Sequence, residues 1–245
     1  MKSRLSILLP AFLLLFNLSS SGQEMNLIKT EIFSDLSGNF SLQYERIIDE
    51  KISASLSVTM MPKKGLPFSG MISNSVSTNE DVTMEIDDFK YSAFSLTPDF
   101  RYYFGEGYGQ GFYLAPYLKY TQFRVHDFVV GYTNDLNEVN DITLSGKFST
   151  MSGGIMCGAQ WLLGDYVCLD WWIAGFHAGR SKASITGDPS IDLTEAEQTD
   201  LKEEFENIDV PMFNPELEIS ADKVTLSHTG PWFWLRSGLS IGIRF

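Results

Sequence analysis

The last fourteen residues constrain this chain more than any other feature. Phe245, Ile243, Ile241, Leu239, Leu235 and Phe233 share one face with Ser237, and Arg244, Gly242, Ser240, Gly238, Arg236, Trp234 and Trp232 share the other. Alternation with a period of two is the mark of a β-strand with one apolar side. Arg and Gly fill the second face, and the strand stops on a terminal phenylalanine, a combination that soluble sandwiches rarely show.

The same alternation recurs along the chain. Ile52 to Met60, Leu96 to Phe104, Phe112 to Tyr120 and Val167 to Ala174 carry it clearly, and Leu27 to Phe33, Phe40 to Ile48 and Phe148 to Leu163 carry it more weakly. With the terminal strand that makes eight. The connections fall into two classes. Asp49-Glu50-Lys51, Gly105 to Gly111 and Gly164 to Tyr166 are short, and a tight turn is expected near Asp35 to Gly38. Pro62 to Asp88, Val129 to Gly146 and Thr186 to Asp222 are long. The predicted fold is all-β: an eight-stranded antiparallel transmembrane β-barrel with short periplasmic turns and long extracellular loops. Pro98 and Pro116 fall mid-strand, where a proline removes a ladder donor, so local bulges are expected there.

The N-terminus points to export. Lys2 and Arg4 precede an almost wholly apolar run from Leu5 to Leu18, and Ser19, Ser20, Ser21 and Gly22 follow. That order is a secretory signal peptide, and the run is short for a spanning helix of about 20 residues. Residues 1–22 are read as the signal and 23–245 as the barrel domain, which sets the expected address as the cell outer membrane. The whole chain carries 31 acidic and 18 basic residues. Such acidity disfavours nucleic acid, whose phosphates need clustered Lys and Arg. Twelve of the acids lie between Asp188 and Asp222 against the single base Lys202. This acidic extracellular loop, 188–222, contains a capping-box pattern, Thr194 with Glu197, before Leu201, Phe205 and Ile208 at helical spacing, so one short helix over the barrel mouth is expected.

Cys157 and Cys168 are the two cysteines. In a hairpin turning at Gly164-Asp165, Cys157 faces a residue near Trp172 or Ile173. Its distance from Cys168 is then roughly 13 to 17 Å along the strand, too far for a bridge that needs Cα atoms within about 7 Å. Two free thiols are expected.

Several segments resemble a known family. Asn26-Leu27-Ile28-Lys29-Thr30, Leu42-Gln43-Tyr44-Glu45-Arg46, Pro98-Asp99-Phe100-Arg101-Tyr102-Tyr103-Phe104, Gly111-Phe112-Tyr113-Leu114-Ala115-Pro116-Tyr117 and the ending Gly238 to Phe245 resemble the bacteroidete-type small outer-membrane barrels grouped as a domain of unknown function, with the architecture of eight-stranded OmpA/OmpX-like barrels. The resemblance implies a fold and no catalytic motif. It also implies two partners, outer-membrane lipid and the barrel-assembly machinery, which reads a C-terminal strand such as the one ending at Phe245.

The residues assigned to the lumen face are Lys29, Glu31, Gln43, Glu45, Asp99, Arg101, Lys119, Asp170 and Arg236. An eight-stranded barrel is just wide enough for side chains to fill, and charges inside it must pair. A structural polar network is therefore expected, with no catalytic site, no cofactor and no metal. His126, His177 and His228 are expected near the outer strand ends without converging, and the tryptophans, Trp161 and Trp232 among them, in the interfacial girdles. No surface ligand or protein partner is identified by the sequence. The expected function is non-enzymatic, with the outer loops serving surface interaction or envelope structure. The alternatives are a barrel enzyme acting on lipid or envelope polymer and a narrow small-solute channel.

Overall fold

The computed structural model describes residues 25–65, 82–84, 89–105, 107–133, 139–206 and 216–245. The signal peptide expected at 1–22, most of Pro62 to Asp88 and the centre of Val129 to Gly146 lie outside the described residues.

Ten strands form one antiparallel sheet: β1 (Asn26–Glu31), β2 (Phe40–Asp49), β3 (Ile52–Gly65), β4 (Val82–Met84), β5 (Lys90–Tyr103), β6 (Gly111–Thr133), β7 (Val139–Leu163), β8 (Val167–Pro189), β9 (Glu216–Ser220) and β10 (Lys223–Arg244). Eight of them follow one another as β1, β2, β3, β5, β6, β7, β8 and β10, and β10 pairs back onto β1 to close the ring. Leu27 lies opposite Arg244, and Glu31 lies opposite Ser240. The seam continues to the last residue, because Asn26 and Phe245 exchange both backbone hydrogen bonds at 3.0 and 2.9 Å. A sheet closed in this way leaves no edge exposed around the ring. β4 and β9 lie off it, on β6 and β10.

Closure follows from the alternation. Inward positions such as Leu27, Lys29, Gln43, Glu45, Asp99 and Arg101 are buried, while their neighbours Ile28, Leu42, Phe100 and Tyr102 are exposed. The outward register also carries Leu114, Leu118, Ile155, Trp171, Phe176, Phe233, Leu235, Ile241 and Ile243, all exposed. The result is a protein turned partly inside out, with charge in its interior and an apolar belt around it. At the short-turn end, Leu27, Ile47 and Cys168 pack into an apolar floor with Met25, Tyr108 and Leu162. Both cysteines are free, and Cys157 faces Ala174, because β8 gains a residue against β7 at that point.

Three expectations need correction. The strands are longer than the alternation indicated. β6 runs to Thr133 and β7 starts at Val139, so most of the expected loop Val129 to Gly146 is a hairpin arm, and β8 extends to Pro189. Second, Ile32–Leu36 forms a short helix, α1, beyond which the chain turns at Gly38 with a positive φ of 76°. Asp35 ties α1 down by accepting bonds from the Ser41 amide and hydroxyl, 2.9 and 2.8 Å away, and from Thr30 Oγ1. Third, the prolines make no bulge. The β5–β6 register is constant, and its ladder omits the rungs at Pro98 and Pro116, each of which still lies opposite a partner on its other side, Leu56 and Ile155.

The capping box forms as expected. Thr194 N donates to Glu197 Oε2 at 2.7 Å, and Glu197 N donates to Thr194 Oγ1 at 3.3 Å, at the start of α2 (Glu195–Glu206). Leu193, nearly fully buried, anchors this end through a backbone bond to Ala221. The neighbour of α2 is β9. Ile208 and the side chains of Leu201 and Phe205 lie outside the described residues.

Candidate functional site

Five of the nine lumen residues converge in one cluster. Lys29 from β1 donates to Glu45 Oε2 at 2.6 Å, to Asp170 Oδ2 at 2.6 Å and to the Gln160 amide oxygen at 2.8 Å. These three bonds satisfy its ammonium completely. Arg101 from β5 binds Asp99 through Nε at 2.8 Å, and its Nη1 reaches Asp170 Oδ2 at 2.7 Å, Glu45 Oε2 at 3.3 Å and Gln160 Oε1 at 3.2 Å. Its guanidinium stands 4.6 Å from the centre of the Tyr113 ring. Every one of these side chains is fully buried or nearly so.

Neutral donors complete the carboxylates. Tyr103 and Ser53 donate to Glu45 Oε1, Tyr113 donates to Asp170 Oδ1 at 2.7 Å, Trp172 Nε1 donates to Asp170 Oδ2 at 3.1 Å, and Ser55 donates to Asp99 Oδ2. Gln43 joins through Ser55, to which its amide donates at 2.9 Å. Gln160, which alternation alone did not single out, is a hub: its oxygen accepts from both cations and its nitrogen donates to the Gly109 carbonyl at 2.8 Å. Tyr113 reaches the cluster because residue 158 is glycine. A Cβ there would stand 2.4 Å from the tyrosine hydroxyl.

The other three lumen charges make no close pair with the first five, and the acid that acts most strongly on Arg236 is Asp99. Arg236 lies 4.2 Å from the centre of the Trp172 ring and 5.3 Å from that of Tyr117. Glu31 reaches the space beside Gly238, where a Cβ would meet its Oε1 at 2.8 Å. Lys119 and Arg236 both act on Glu31 electrostatically. Among the described residues none of these three makes an ion pair within 4.0 Å, and Arg236 Nη1 is buried without a hydrogen-bond partner. Taken together, the lumen balances: Lys29, Arg101, Lys119 and Arg236 against Glu31, Glu45, Asp99 and Asp170.

The histidines face three different surroundings. His177, mid-strand rather than at a strand end, is bonded to the Tyr117 hydroxyl at 2.9 Å inside the barrel. His126 lies on the outer wall, 2.8 Å from Ser92 Oγ, and His228 is buried opposite Ala183. Trp161 is exposed near the turn at Gly164 as expected. Trp232 instead follows the register of Arg236 and packs edge-on against Phe148, with ring centres 5.3 Å apart. Among the described residues no three His, Cys, Asp or Glu side chains converge as a metal ion would require.

A family model for proteins of unknown function, DUF3575, matches residues 8–185, which include β1 to most of β8 and the whole cluster around Lys29 and Arg101. The chain belongs to the DUF3575 family. That agrees with the resemblance drawn from its segments. The DUF3575 match stops before the acidic segment 188–222 and before Arg236. No curated protein matches the chain. A structural similarity exists to the translocator domain of the autotransporter NalP from Neisseria meningitidis, at 11% identity and a TM-score of 0.32, covering 98% of this chain and 95% of that one. No helix of the described residues is long and apolar enough to cross a membrane, which says nothing against strands doing so.

Proposed function

We propose that this chain is an integral outer-membrane barrel without catalytic activity, whose lumen is plugged and whose contacts with the envelope run through its outer wall and long-loop end. One observation carries the reading: a ring closed to its last residue holds a balanced set of buried charges inside and a belt of exposed apolar side chains outside. In water such a belt is an aggregation liability, and in hydrocarbon it is the required surface. Closure also leaves every strand of the ring with two neighbours, as a dry environment demands. The signal-like N-terminus and the paired terminal phenylalanine fit export and insertion by the assembly machinery. The absence of convergence among His126, His177 and His228 supports a structural rather than a hydrolytic role.

Two measurements test this. The mature chain folded into lipid vesicles is expected to migrate differently on gels before and after heating, and to give no steady conductance in planar bilayers. A mature chain that stays soluble and monomeric without detergent overturns the membrane assignment. Sustained single-channel currents overturn the plug and favour a small-solute channel.

A further inference from the structure

The outer wall is not uniformly apolar. Arg124 on β6 and Lys147 on β7 lie directly opposite each other, and both point outward. One two-residue step down, Lys182 on β8 lies opposite Ser149, and one step further Arg180 lies opposite Met151. All four are exposed, and no described carboxylate lies within 4.0 Å of any of them. Like charges placed face to face across a strand pair are destabilising unless something neutralises them.

The chain has acids to spare, yet none of the described ones is placed here. Across residues 90–104, 111–126, 142–163, 167–187 and 223–244 the only acids are Asp99 and Asp170, and both face the lumen. Asp188 lies opposite Thr143, four residues above Lys147 and about 13 Å away at the rise of a strand. Four cations on three successive outward levels of three strands, in a protein with formal net charge −13, are complementary to a compact multivalent anion.

The wall beneath them indicates what carries that anion. A groove of about 930 Å³ runs over the small residues Gly153 and Ala178 between Phe176, Phe233 and Leu235. Ala178 is the next outward residue below Arg180 on β8, so the groove begins where the cations end. A free anion has no use for an apolar trough. An anion attached to acyl chains fits both parts.

We propose that this face is a docking site for a phosphorylated glycolipid of the surrounding leaflet, with headgroup phosphates on Arg124, Lys147, Arg180 and Lys182 and an acyl chain in the groove below. The site deepens the outer-membrane reading and rests on it. Arginine suits such a site because its planar fork matches phosphate geometry, and each cation near an anionic lipid surface strengthens binding.

The test uses the folded mature barrel in phosphatidylcholine nanodiscs containing either lipid A with both phosphates or lipid A stripped of them. Native mass spectrometry after detergent exchange reads the retained lipid. The wild type is expected to keep the phosphorylated form, and R124Q/K147Q/R180Q/K182Q to hold it at least about tenfold less tightly. Because these side chains point away from the lumen, the variant should keep its heat-modifiable band, which reports folding separately. Equal retention by the variant overturns the site, as does equal retention of the two lipids or equal competition by inorganic phosphate. If replacing all four cations prevents folding, the milder R180Q/K182Q pair with a Phe176→Ala partner in the groove gives the same comparison. A wild type that fails to insert into lipid sinks the barrel reading itself, and is told apart by the missing heat-modifiable band.

Discussion

Trp172 divides the lumen into two charged regions that solve the same problem differently. On one side its indole N–H donates to Asp170, and there Lys29 and Arg101 each meet opposite charges at 2.6 to 2.8 Å. On the other side its ring face carries Arg236, which with Lys119 and Glu31 makes no ion pair within 4.0 Å among the described residues. The first region is a close-paired ionic lattice, although Arg101 Nη2 in it is also buried without a hydrogen-bond partner, and the second is a looser set in which aromatic faces stand in for carboxylates. Trp234, one inward position above Arg236 on β10, is 64% exposed, so the second region is also the less filled. Burying a charge is costly in itself, and removing one partner of a buried pair leaves that cost uncompensated. The first region should therefore be intolerant of truncation and the second forgiving.

Arg101→Ala is the sharpest test of that contrast. It leaves Glu45 and Asp170 to Lys29 and takes from Asp99 its one close cation, with Arg236 acting on it only at longer range. Removing one partner of a buried ionic network costs about 3 to 5 kcal/mol. The temperature at which the folded barrel converts to its unfolded gel band is expected to fall markedly. Arg236→Leu should do far less. It removes two ring contacts, each of roughly 0.5 to 2 kcal/mol, but it also removes a guanidinium nitrogen that has no bond to lose. If Arg236→Leu proves as damaging as Arg101→Ala, the two regions are one network and the division at Trp172 is wrong.

The ionic lattice was largely legible in the sequence and the second region less so, for a physical reason. Period-two alternation assigns a face, and that suffices for Lys29, Glu45, Asp99, Arg101 and Asp170, whose strands keep a strict register near the short turns. It does not say which inward charges meet. Gln160 was missed because Phe148 to Leu163 carries weak alternation, interrupted by Gly153-Gly154 and by the irregular register at Cys157 and Gly158. An amide four residues before the turn at Gly164, between Ala159 and Trp161, was the available signal. Strand lengths were underestimated because above the apolar belt the outward face turns polar while Phe123, Val125 and Phe148 make the inward face apolar, the reverse of the pattern below. Gln122, Arg124 and His126 on β6, with Ser145 and Lys147 on β7, reverse the contrast that the pattern relies on, while the hydrogen-bonded ladder continues through them. The docking site proposed on the outer wall lies in that same stretch, where polarity reads as loop until the register shows it is wall.

A paired tyrosine test refines the comparison at the scale of single hydroxyls. Tyr113 donates to an ionised carboxylate, Asp170, at 2.7 Å, and Tyr117 bonds the imidazole of His177 at 2.9 Å. Both rings are buried, and both carry an arginine over one face. Replacing either by phenylalanine keeps the ring and deletes one hydrogen bond. A bond to a charged group contributes about 1.5 to 3 kcal/mol and a neutral one about 0.5 to 1.5 kcal/mol. Tyr113→Phe should therefore shift the urea midpoint of the vesicle-embedded barrel roughly twice as far as Tyr117→Phe. Equal shifts would mean that the second region is electrostatically as tight as the first, with its unpaired cations drawing the imidazole and its tyrosine into a lattice of their own.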